Sequence, residues 1–311
     1  TTEIYTLSLH DALPILKSLS SPRPWTGAFP LFPLRPPVSG AIAINERMNG
    51  MKFPKCACVE TLYLELPFLD RFEAAKKDGF DYVEFWGWRD KDLGAVAAAA
   101  RDAGVGISNF NGGQDYSLID PSHKERYLNQ LKESVDAAQR LGARAVTLLS
   151  NALDAGGRAA SSYSELSEAV KLSTLYAGLT ECAKIAEDSG IRMNLEALNT
   201  ATDHPGYFLT HTQTAAELTG LIGSPMLKIL YDVYHMQLNE GALCDNIARF
   251  AGQIGHVHVA DVPGRHEPGT GEINYERVFR QLEESGYDGI IGFELFPLTS
   301  TAEAVRAIQR F

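Results

Sequence analysis

One unit recurs eight times along this chain: a short apolar run, a polar turn and an amphipathic stretch of helical period. No other feature limits the fold as much, because alternating strand and helix patterns lead to a parallel sheet covered by helices. The runs expected as strands are 55–59, 82–85, 106–110, 145–149, 192–195, 228–231, 255–259 and 289–293. Helical patterns occupy 68–77, 91–103, 121–141, 164–189, 210–222, 244–253, 275–285 and 300–311. Pro121 stands where proline suits a first helical turn, and Gly190 where a C-cap glycine belongs. Eight units in roughly 260 residues match a closed α/β barrel of the (β/α)8, or TIM, type. An open doubly wound sheet would want a glycine fingerprint after the first strand, and Cys58-Val59-Glu60-Thr61 offers none.

The repeat starts only at about residue 51. Residues 1–50 hold seven of the fifteen prolines, show no sustained period, and begin with a tract, 1–15, that resembles translated sequencing adapter. They lack both an Arg-rich amphipathic helix and an apolar core before a small-residue cleavage site, so a targeting role is disfavoured. The expected organisation is a non-native or disordered extension over 1–50 and a single catalytic barrel over 51–311.

Charge and cysteine content narrow the function. The net charge is −11, and four basic against three acidic residues in 1–50 leave −12 for the barrel. That balance argues against a nucleic-acid backbone as partner. Apolar runs stop well short of the roughly 18 residues of a membrane span. Cys56, Cys58, Cys182 and Cys244 form no CxxC pair and are expected to be reduced, as in a cytoplasmic protein.

In such a barrel the chemistry gathers where strands end. The fifth strand delivers Glu196, the sixth Asp232 and the eighth Glu294. The seventh reads His256-Val257-His258-Val259, so both histidines share one face, with His258 nearer the rim. Three carboxylates in one mouth repel each other unless a cation neutralises them. With one imidazole they make a mostly hard oxygen site, suited to Mg²⁺ or Mn²⁺, with Co²⁺ also admissible.

These residues carry a resemblance to the hydroxypyruvate isomerase family, within the xylose-isomerase-like isomerases and epimerases. The matching stretches are Asn194-Leu195-Glu196, Pro205-Gly206-Tyr207-Phe208-Leu209 and Asp232-Val233-Tyr234-His235. The strongest is the block from Gly264-Arg265-His266-Glu267-Pro268 through Thr270-Gly271-Glu272-Ile273-Asn274-Tyr275. The resemblance implies metal ligation by Glu196, Asp232, His258 and Glu294. Two positions depart from the pattern: His258 stands where hydroxypyruvate isomerases often have Gln, and Ala197 where Pro is expected.

The chemistry implied is the interconversion of hydroxypyruvate and tartronate semialdehyde through an enediolate. Glu196 and Glu294 would serve as acid and base as well as ligands. His235, Arg265, His266 and Glu267 are the expected substrate-binding residues, with the Arg265 guanidinium suited to a carboxylate. The expected partner is a small hydroxy-carbonyl acid, with homo-oligomerisation left open. A 2-oxo-tetronate isomerase is the first alternative. A ketose 3-epimerase follows, disfavoured by Thr202 where a substrate-binding carboxylate would stand. An abasic-site endonuclease would need more histidines and basic loops, and a non-catalytic binding barrel would bind without turnover.

Overall fold

The structure, a computed structural model, describes residues 52–311; the expectation for 1–50 lies outside the described residues. Eight parallel strands follow one another: β1 Lys55–Cys58, β2 Tyr82–Glu84, β3 Gly106–Ile107, β4 Ala145–Leu148, β5 Arg192–Glu196, β6 Leu227–Asp232, β7 Ile254–Val259 and β8 Ile291–Phe293. They pair in the order β3-β2-β1-β8-β7-β6-β5-β4. The two ends of that series meet just past β3, where Ala145 N donates to Ser108 O at 3.0 Å and Thr147 N to Phe110 O at 2.9 Å. Asn111 also bridges Thr147 in parallel. The ring is therefore a closed barrel, as the repeat predicts. The expected third strand, 106–110, is regular over two residues only, but its bonding to β4 continues beyond them.

Among the described residues nine α-helices lie between and after the strands: α1 Asp70–Lys77, α2 Leu93–Ala103, α3 Lys124–Leu141, α4 Glu168–Ser189, α5 Thr212–Ile222, α6 Val233–Asn239, α7 Leu243–Phe250, α8 Tyr275–Glu284 and α9 Thr301–Ile308. Their starts are set by caps. Asp92 accepts from the backbone N–H groups of Gly94 and Ala95 ahead of α2, and Ser167 from Val170 ahead of α4. The periodicity therefore runs a few residues ahead of these helices. Pro121 opens a 3₁₀ turn, Pro121–His123, that leads into α3. Gly190 closes α4 in the left-handed region at φ 73°, as a C-cap glycine does.

Helix α8 shows how these segments pack. Tyr275, Val278, Phe279 and Leu282 recur every three or four residues and are the buried face. Each such side chain contributes roughly 1.5–3 kcal/mol by leaving water. Truncating the fully enclosed Phe279 to alanine should cost about 3–5 kcal/mol. Helix α6 was not expected from the sequence. Asp232 Oδ1 accepts the His235 backbone N–H at 3.0 Å and caps this seven-residue helix.

Candidate active site

A cavity of about 440 Å³ opens over the C-terminal ends of the strands. Its lining includes Cys58, Glu84, Glu196 and His258 from strand ends, with Asn109, Leu149 and Glu294 just beyond theirs. Trp86, Phe85 and Phe296 supply aromatic walls, and the loop Asp154–Gly157 closes one side.

Within this mouth His258 is the centre of the expected ligand set. Its Nδ1 lies 3.9 Å from Glu196 Oε1, 3.8 Å from Asp232 Oδ2 and 3.4 Å from Glu294 Oε2. All four residues are buried. Donor atoms of Asp232, His258 and Glu294 fall within 4.8 Å of one another, as do those of Glu196, Asp232 and His235. Neither ring nitrogen of His258 has a hydrogen-bond partner of acceptable geometry. A buried imidazole nitrogen without a partner, surrounded by three carboxylates, is the arrangement a divalent cation satisfies. The oxygen-rich set fits a hard ion, and the residues present fit the metal that the sequence implies.

Behind His258 sits Glu84, the last residue of β2. Glu84 Oε2 accepts from His256 Nε2 at 2.9 Å, and its Oε1 lies 3.1 Å from His258 Nε2. Burial alone would raise the Glu84 carboxyl, but the two imidazoles outweigh it and hold the pKa at about 2. A carboxylate this close to an imidazole raises its basicity through its charge. Space for this trio comes from Gly292 in β8, where a Cβ would collide with Glu84, His258 and His256 together. That glycine has no turn to make; it is required by close approach.

The electrostatics separate the two proposed acid–base groups. Burial pushes the Glu196 carboxyl well up, and Glu294 and Asp232 add to this against the pull of His258 and Arg265. Glu294 is also raised by burial, yet Arg265, His258 and the Trp86 Nε1–H bring it well below the usual carboxylate range. Burial likewise raises Asp232, opposed by Arg265 and His258. Four carboxyl groups counting Glu84 share one guanidinium and two imidazoles, and with neutral imidazoles a divalent ion would offset most of the deficit of positive charge.

Arg265 reaches the cavity from the β7 loop with its backbone in the left-handed region, φ 58°. Its guanidinium bonds Glu294, lies 3.8 Å from Asp232 Oδ2 and covers the Tyr234 ring at 5.2 Å. Its Nε–H has no partner. The loop that carries it is organised by Asp261, a residue the sequence did not flag. Asp261 accepts the backbone N–H groups of Val262 at 2.9 Å, Gly269 at 2.8 Å, Gly271 at 3.0 Å and Ile273 at 3.0 Å.

His235 also lines the cavity, with Nε2 3.6 Å from Asp232 Oδ2. His266 and Glu267 are not brought to it. His266 Nδ1 donates to the Phe296 carbonyl at 2.7 Å, and Glu267 Oε2 accepts from Leu298 N at 3.0 Å, so both tie the β7 loop to the segment after β8. Asp203 and His204 do line the cavity and were not anticipated. Their loop follows β5 with no periodicity to mark it.

The four cysteines are free, and no helix among the described residues is long and apolar enough to cross a membrane.

The sequence model of the family described as Xylose isomerase-like TIM barrel matches residues 72–311. The hydroxypyruvate isomerase of Escherichia coli (strain K12) is 33% identical over 258 residues, which is 80% of this chain and 96% of that protein. The 2-oxo-tetronate isomerase of Cupriavidus necator is 29% identical over 253 residues, covering 79% and 94%. Among solved structures, an AP endonuclease, family 2, from Brucella melitensis superposes with a TM-score of 0.74 at 28% identity, over 81% of this chain and 97% of that one.

Proposed function

The chain belongs to the xylose isomerase-like TIM barrel family, and on that premise we propose that it is a divalent-metal-dependent isomerase interconverting hydroxypyruvate and tartronate semialdehyde through an enediolate. The observation that carries this reading is the convergence of Glu196, Asp232 and Glu294 on one unpartnered nitrogen of His258 in a cavity that also holds an arginine. The relatives named hydroxypyruvate isomerase support the substrate class.

Glu196, Asp232, His258 and Glu294 would hold the ion. When bound, a divalent metal supplies Lewis-acid polarisation of the substrate carbonyl. The remaining work falls to side chains. Moving from tartronate semialdehyde to hydroxypyruvate requires a proton to leave C2 and one to arrive at C3, while the hydroxyl proton passes from the C2 oxygen to the C3 oxygen. Glu196 and Glu294 both approach His258 Nδ1, and on this reading one removes the proton and the same or the other delivers one at the neighbouring carbon. Trp86 Nε1–H fixes the orientation of Glu294. The free Nε–H and the guanidinium edge of Arg265 suit the substrate carboxylate, which favours hydroxy acids over neutral sugars. Phe85, Trp86 and Phe296 limit water around the reacting carbons.

Proton NMR in D₂O on the full chain tests this, with Mg²⁺ or Mn²⁺ and then with chelator. Metal-dependent interconversion with deuterium entering the carbon framework, lost in Glu294→Gln, is expected. A second reading, isomerisation of a four-carbon 2-oxo-tetronate, is favoured by a cavity larger than a three-carbon acid fills and by relatives of that name. Turnover of the four-carbon acid alone would move the substrate and keep the site.

A further inference from the structure

Asn199 is fully buried beside the cavity, and its amide fits one way round. Its Oδ1 accepts from the backbone N–H groups of Thr202 at 3.0 Å and Asp203 at 3.2 Å, and from the Thr202 hydroxyl at 2.9 Å. Its Nδ2 donates to Asp203 Oδ2 at 2.6 Å. Turning the amide over would aim its NH₂ at two backbone donors and its oxygen at a carboxylate.

With the amide so fixed, Asn199 Nδ2 faces His235 Nδ1 at 2.7 Å, and the Asn199 backbone N–H points at the same atom at 3.4 Å. Both neighbours can only donate, so Nδ1 must present its lone pair and the ring proton sits on Nε2.

We infer that Asn199 is a positioning residue that locks His235 as the Nε2–H tautomer, making it a hydrogen-bond donor to a substrate oxygen and removing it from the metal ligands. The second consequence matters because His235 lies within ligand distance of Glu196 and Asp232. A metal needs a ring nitrogen with a free lone pair, and the one on His235 is taken by Asn199. The ion is therefore left with His258, whose Nδ1 is unpartnered. The donor role rests on the proposed isomerase reading, whereas the tautomer and the ligand set do not.

Long-range proton–nitrogen NMR of the imidazole rings in the full chain tests the tautomer directly, with and without Mg²⁺. The His235 signals are identified as those lost in His235→Gln. An unprotonated Nδ1 with a protonated Nε2 is expected in both conditions, and a protonated Nδ1 in either overturns the inference. The double variant Asn199→Asp/Asp203→Asn preserves the bond between the two side chains with its direction reversed, and turns the atom facing His235 into an acceptor. It should switch the ring to Nδ1–H and lower kcat on the order of a hundredfold; a ring that keeps Nε2–H with kcat intact refutes the lock. Mn²⁺ titration of His235→Gln should show affinity within about threefold of the parent, since losing a true ligand or its support costs tenfold or more. A tenfold loss would return His235 to the ligand set. If the tautomer is as stated but no hydroxy acid turns over, the substrate reading fails and this inference stands.

Discussion

Replacing Asp261 with asparagine should loosen the loop that carries Arg265 without dismantling the barrel. Two acceptor oxygens each serve two backbone N–H groups here: Oδ1 takes Val262 and Ile273, and Oδ2 takes Gly269 and Gly271. An amide retains one oxygen and turns an NH₂ toward the other pair, so two N–H groups lose their acceptor whichever way it faces. A buried donor left unsatisfied costs about 1–3 kcal/mol. Gly269 and Gly271 are exposed residues where water can partly substitute, which places the sum near the low end, about 2–3 kcal/mol. Since about 1.4 kcal/mol is a factor of ten, local opening of the loop should rise roughly thirty- to hundredfold. Amide hydrogen exchange at Gly269, Gly271 and Ile273 reads this directly, with strand amides of β5 and β6 as internal controls. The KM for the hydroxy acid should rise in parallel as Arg265 loses its fixed position. Exchange at the three amides changed by less than about threefold would refute the reasoning. It would mean that the loop is held by its glycine turns rather than by the carboxylate.

Three further outcomes follow from the same structure. Glu84→Gln should weaken Mn²⁺ binding by about 10–100-fold through the loss of the carboxylate behind His258, and an unchanged titration would remove Glu84 from the metal site. Thermal unfolding should rise with Mg²⁺ or Mn²⁺, by about 2.7 kcal/mol of stability at a hundredfold excess over Kd; Asp232→Asn should abolish the dependence, and a midpoint indifferent to metal and chelator would count against metal binding. Cys56, Cys58 and Cys182 are buried with their thiols pushed up by burial. A thiol reagent should therefore leave Cys56 and Cys182, which do not line the cavity, unmodified until the protein unfolds, whereas Cys244, at the surface edge, should react in the native state.

Some of this protein could be read along the chain because its causes are local and periodic. Strand and helix spacing predicts eight βα units, the count predicts closure, and the ends of strands five to eight present Glu196, Asp232, His258 and Glu294 in order. Each of these follows from a period of two or 3.6 residues and from the rule that parallel strands gather their C-terminal ends on one face. Even His256 could be put a layer below His258 by alternation alone.

What the tertiary structure decided depends on atoms distant in sequence. Glu84 meets His256 and His258 only because the closed ring sets β2 and β7 three strands apart, with Gly292 of the intervening β8 leaving the space between them. Helix α6 was hidden because its seven residues are too few to show a period, and the Asp232 cap that starts it reads equally well as a loop. His266 and Glu267 sit beside Arg265 in sequence yet turn away to the segment after β8, since a loop without repeating geometry gives no rule for side-chain direction. Asp261 and Asn199 act through backbone N–H groups, which every residue possesses and no sequence pattern distinguishes. The order of the strands was therefore written in the chain, while the partners of each polar side chain were settled only when the barrel closed and brought them within hydrogen-bonding reach.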